Sequence, residues 1–133
     1  MSETGPNKAL HYSGGKSGVD QIPPEVLIEL GDVFTYGEKK YARDNWKQGN
    51  DWHEFIGSAL RHMYAFQMGR EIDSESGLPH LAHALWNVVA LRYYQLHGLG
   101  NDDRLNAASD EDWLWSSDPT SEITFQSLQE TTA

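Results

Sequence analysis

The sequence contains no cysteine, which excludes a disulfide scaffold, a thiolate metal site and a cysteine nucleophile together. Any metal must be held by His, Asp or Glu. No run of about 18 apolar residues occurs, and the opening stretch MSETGPNKAL lacks the apolar segment of a signal peptide. The expectation is a soluble protein of the cytoplasm, with no membrane partner. Basic residues are scarce: 10 Lys and Arg stand against 20 Asp and Glu, for a formal net charge of −10. None follows Arg104, whereas Asp110, Glu111, Asp112, Asp118, Glu122 and Glu130 do, so the acidity is concentrated in the last segment. Such a balance argues against duplex nucleic acid as a partner, because a phosphate backbone needs many neutralising cations. A small phosphate ligand stays open, since divalent ions between carboxylates offset its charge.

The 133 residues, 38% hydrophobic and 11% aromatic, suit one compact domain with extensions. Residues 1–22, rich in Gly and Ser, read as an extended arm. Residues 23–104 form the domain, and 105–133 an acidic tail whose Trp113 and Trp115 dock on the domain or on a second subunit. Pro24 suits the first turn of a helix, and Val26, Leu27, Leu30, Val33 and Phe34 place that helix at 24–36, interrupted by Gly37. Asp51, with Glu54 three residues later, predicts a capping box. Trp52, Phe55, Ile56, Ala59, Leu60, Met63 and Phe66 then give a second helix over 52–68, closed by Gly69. A third runs from Pro79 to His97 and ends at Gly98. It is apolar on most of its circumference, so it should be central. The expected fold is all-α, a bundle of three main helices.

The sharpest constellation is SGLPHLAHALWN. On a helix turning about 100° per residue, His80, His83 and Asn87 share one face. Polar groups there on an apolar helix must be satisfied, at a cost on the order of 1–3 kcal/mol for each one that is not. His62 lies on the apolar face of the second helix. Antiparallel packing of the second and third helices would bring three imidazoles to one pocket, beside Glu71, Asp73 and Glu75 of the connecting loop. That is a hydrolytic or nucleotide-binding combination; the competing account is packed histidines bonded to the main chain. SGGKSG is no phosphate-binding loop, because Leu10 stands where that motif needs glycine. Lys16 remains a phosphate contact or a solvated side chain. EKKYARDNW sets Lys40 and its basic neighbours beside Tyr41 and Trp46, a pairing that suits phosphates and a base, or a helix end with core tryptophans. In GNDDR, an aspartate binds metal or holds Arg104.

The succession PPE, GEKKYARDNW, ALRHM, GREIDSESGLPHLAHALWN and GLGNDDR, over about Lys16 to Arg104, resembles phage dATP/dGTP diphosphohydrolases, a family related to the MazG-like pyrophosphohydrolases. The resemblance implies a helical, oligomeric enzyme that uses Mg²⁺ or Mn²⁺ to cleave a purine deoxynucleoside triphosphate into monophosphate and pyrophosphate. Glu75 and His62 would be catalytic, and Asp73, Glu75, His80 and His83 would hold metal. Lys16, Lys40, Tyr41, Asn45, Trp46, Arg61, Asn87 and Arg104 would bind substrate. One departure stands out. Where MazG-like enzymes place an E-x-x-D, this chain has His80-x-x-His83, and imidazole suits Mn²⁺, Zn²⁺, Fe²⁺ or Ni²⁺ better than Mg²⁺. The alternative function is a phage protein that sequesters a small signalling nucleotide without hydrolysing it.

Overall fold

The computed structural model describes residues 14–105, and within them the chain is helical, with no strand. Three α-helices carry the fold: α1 Pro24–Lys40, α2 Trp52–Gln67 and α3 His80–His97. Short 3₁₀ turns occupy Val19–Gln21 and Asn45–Gln48. Residues 14–22 are exposed and contain the first of these turns. The rest of the expected arm, and the tail with Trp113 and Trp115, lie outside the described residues.

α2 and α3 are antiparallel neighbours, and α1 packs on α3. Their pairing is visible residue by residue: Trp52 Nε1–H donates to the Leu99 carbonyl at 2.9 Å, Phe55 packs edge-on against Tyr94, and Asn87 Nδ2 donates to Ser58 Oγ at 3.0 Å. α3 is the central element, with seven buried residues, and Ala90 and Tyr94 are fully shielded. Trp52, Phe55, Ala90 and Tyr94 form the core, and Trp46 and Trp86 pack against it. Burying each large side chain contributes about 1.5–3 kcal/mol. Tyr94 does more than fill space. Its hydroxyl donates to the Trp46 carbonyl and accepts from Gly49 N–H at 3.1 Å, which fixes the 3₁₀ turn against the core.

Two sequence expectations are corrected. Gly37 does not interrupt the first helix, which continues to Lys40; one glycine costs only about 1 kcal/mol in a helix, and Lys39 and Lys40 complement the carbonyl end. Asp51 occupies the N-cap position of α2, but no capping box forms, since its side chain makes no cap bond. Asp51 Oδ1 instead accepts from Asn101 Nδ2 at 3.2 Å, and the first helical N–H groups are met by residues beyond α3: the Asn101 carbonyl takes Trp52 N–H and Asp103 Oδ1 takes His53 N–H, both at 3.0 Å. Gly100 permits this close return. Its φ is +70°, and a Cβ there would lie 2.3 Å from the Asn50 carbonyl oxygen.

Candidate functional site

At the loop end of the α2–α3 pair, the three imidazoles meet. His62 Nδ1 and His80 Nδ1 are 2.8 Å apart, and the His62 ring stacks on His83 with centroids 4.7 Å apart. α3 supplies His80 and His83 one turn apart, both buried, and α2 supplies His62 from its last turns. The connecting loop adds Asp73. Ser76 N–H and Oγ–H both donate to Asp73 Oδ2, at 3.0 and 2.8 Å, and Ser76 Oγ lies 2.7 Å from His83 Nε2. With its proton given to Asp73, the serine oxygen accepts from the imidazole. Sequence reasoning passed over Ser76, although aspartate and serine in a short loop commonly hydrogen-bond the local main chain.

The electrostatics follow from burial. Desolvation, then repulsion from neighbouring imidazoles, lowers the His62 pKa below its usual 6.5, and desolvation lowers His83 likewise. Burial alone would raise Asp73, but the Ser76 hydrogen bonds and nearby imidazoles outweigh it and hold the carboxylate ionised. His62, Asp73 and His80 each offer a ligand atom within 4.8 Å of one another. Two imidazoles and a carboxylate are a fitting donor set for a divalent transition ion, and a less fitting one for Mg²⁺.

Glu75 lies elsewhere. Its Oε1 accepts from Lys40 Nζ at 2.7 Å and Tyr36 O–H at 3.0 Å, outside the ligand triplet. These bonds lower the Glu75 pKa, and Lys40 rises in turn. Tyr36, which sequence reasoning did not single out, also sets its ring edge-on to His83 at 6.1 Å.

One turn from the imidazoles opens a cavity of about 740 Å³ between α1, the 3₁₀ turn and the α2–α3 pair. Five of the predicted substrate-binding residues line it: Tyr41, Asn45, Trp46, Arg61 and Asn87. Its aromatic wall is Phe34, Trp46 and Trp86, mutually edge-on at about 6 Å. Phe34 and Trp86 carried no functional expectation. The Trp86 indole N–H is buried without an acceptor among the described residues. Lys40 stands apart with Glu75, and the structure does not bring Lys16 or Arg104 to the cavity. Arg104 pairs with Asp102 at 2.8 Å and lies over the Trp52 ring, so the salt-bridge alternative describes its contacts.

A second histidine–carboxylate group, Asp51, His53 and Asp103, sits at the opposite end of α2 and is exposed. Its hydrogen bonds already have a structural purpose, since Asp103 caps the helix through His53 N–H.

The model of the dATP/dGTP diphosphohydrolase N-terminal domain matches residues 6–104, which span all three helices, the cavity and the imidazole cluster. The chain belongs to this family. A dATP/dGTP diphosphohydrolase of Salmonella phage PMBT28 is 30% identical over 95 residues, covering 71% of this chain and 32% of that protein. The chain therefore spans about a third of the length of the curated relative it matches. No solved structure matches it. Among the described residues, no helix is long and apolar enough to cross a membrane.

Proposed function

We propose that this domain hydrolyses a purine deoxynucleoside triphosphate to the monophosphate and pyrophosphate, with a divalent ion at His62, Asp73 and His80, in the nucleotide pool of a phage-infected cell. The observation that carries the proposal is the convergence of three imidazoles and an ionised aspartate beside a nucleotide-sized cavity. The activity for which the family is described supplies the substrate class. A bound ion would polarise the α-phosphate and lower the pKa of a water. The donor set favours Mn²⁺ over Mg²⁺.

The chain's own groups divide the remaining work. His62, read from sequence as an acid–base group, is assigned to the ligands in this reading, and His83 orients Asp73 through Ser76. Glu75, kept ionised by Lys40 and Tyr36 and close enough to His83 and Asp73 to interact electrostatically with both, serves as general base. As the water oxygen bonds to the α-phosphorus, its proton passes to Glu75 and the bond to the bridging oxygen breaks, so the electron pair leaves with pyrophosphate. Lys40 and Arg61 neutralise that leaving group, which draws Lys40 away from Glu75. Trp46 and Phe34 hold the base. The domain also self-associates through Ile56, Leu60 and Met63, an exposed apolar stripe at helical spacing on α2.

The test is incubation with each dNTP and Mn²⁺ or Mg²⁺, followed by chromatography of the nucleotides. Monophosphate and pyrophosphate from dGTP or dATP are expected. Retention of intact nucleotide at one equivalent per chain would instead favour sequestration.

A further inference from the structure

The cavity and the imidazole cluster share α2 and α3, and along both helices the residue chemistry changes in one direction. On α2 the face runs from His62 to Ser58 and then Phe55; on α3 it runs from His83 to Asn87 and then Tyr94. Ser58, Phe55, Asn87 and Tyr94 all line the cavity. Leaving the imidazoles, a ligand therefore meets a hydroxyl and a carboxamide after one turn, about 5.4 Å, and aromatic rings after that. A nucleotide has the same order of parts: phosphates, sugar, base.

Asn87 is 5% exposed, and both of its amide hydrogens are committed. Nδ2 donates to Ser58 Oγ at 3.0 Å and to the His83 main-chain carbonyl at 2.9 Å. A carbonyl only accepts, so this bond settles which end of the carboxamide carries nitrogen. The remaining atom, Oδ1, has no donor among the described residues. It is an acceptor, held in place by the two Nδ2 bonds, on a residue that lines the cavity.

Resting on the hydrolysis proposed above, we infer that Asn87 Oδ1 accepts a hydrogen bond from the 3′-hydroxyl of the bound deoxynucleotide, and that the domain consequently selects against sugars lacking it. The amino group of a base is the competing donor. The position of Asn87, a single turn from His83, sets it beside the sugar, while the base lies against the aromatic wall.

The experiment compares kcat/KM for dGTP and 2′,3′-dideoxyGTP, which differ only in that hydroxyl, on the wild-type chain with Mn²⁺. A loss of roughly tenfold is expected without the hydroxyl, the scale of one hydrogen bond. Equal values would overturn the inference while leaving the hydrolase reading in place. Failure of the wild-type chain to cleave or bind dGTP would remove that reading and this one with it. In Asn87→Ala the preference for dGTP over the dideoxy nucleotide should shrink toward one, whatever the absolute rate, and an undiminished preference would assign the discrimination to another residue. Should the variant fail to fold by circular dichroism, the wild-type comparison decides alone.

Discussion

α2 carries a histidine and an aspartate partner near each end, and the two ends treat the same residue types oppositely. His53, exposed beside Asp103, has its pKa raised by that carboxylate. His62, nine residues further on and about 13 Å along the axis, has its pKa lowered by burial. At the first, the carboxylate favours the charged ring, which works against giving a lone pair, and its group serves as a helix cap. The second is held neutral and can bind metal at pH 7. Composition and proximity do not separate these clusters, since both bring three ligand atoms within 4.8 Å. Desolvation does.

The sharpest way to break this contrast is substitution at each end. Asp73→Asn or His80→Ala should lower metal-dependent kcat/KM by roughly 100-fold or more, beyond the 10–100-fold typical of outer-shell partners, whereas His53→Ala should change it less than about twofold. Steady-state kinetics on dGTP checks both. A smaller effect separates the ends by pH in the metal-free protein. His62 and His83 bind fewer protons folded than unfolded, so their stabilisation is complete above about pH 6.5 and declines as the pH falls below it toward their lowered values. Asp73 extends the loss below the carboxylate range. His53 has the opposite sign: its contribution is complete below about pH 6.5 and is lost as the pH rises through its raised value. Thermal melts from pH 8 to 5 should show a fall in Tm that His62→Gln flattens and His53→Ala slightly steepens. The smallest effect belongs to the cap alone. Asp103→Ala should cost about 1 kcal/mol in urea unfolding, with kcat/KM unchanged.

What the sequence makes legible follows from local periodicity. Three-to-four-residue apolar spacing locates α1, α2 and α3, and the same arithmetic puts His80, His83 and Asn87 on one face. The antiparallel pairing follows from the short loop and brings His62 to them. Partners distant in sequence are not legible this way. Glu75 meets Tyr36 and Lys40 across 39 and 35 residues, and Asp103 replaces the expected Asp51 cap from 50 residues beyond His53. Trp46 illustrates a different limit: a tryptophan among cations and polar residues suits a base, yet here it both lines the cavity and packs on Tyr93, Tyr94 and Trp86. Composition cannot divide those roles, because packing a core and offering a ring face use the same surface.

The claim beneath all of this is that the buried end of α2, and not the exposed one, takes up the ion. Titration of Mn²⁺ into the metal-free chain, followed by electron paramagnetic resonance of the free ion, addresses it directly. The account predicts a tight site that His80→Ala removes and His53→Ala preserves; uptake that survives in His80→Ala and disappears in His53→Ala would contradict it.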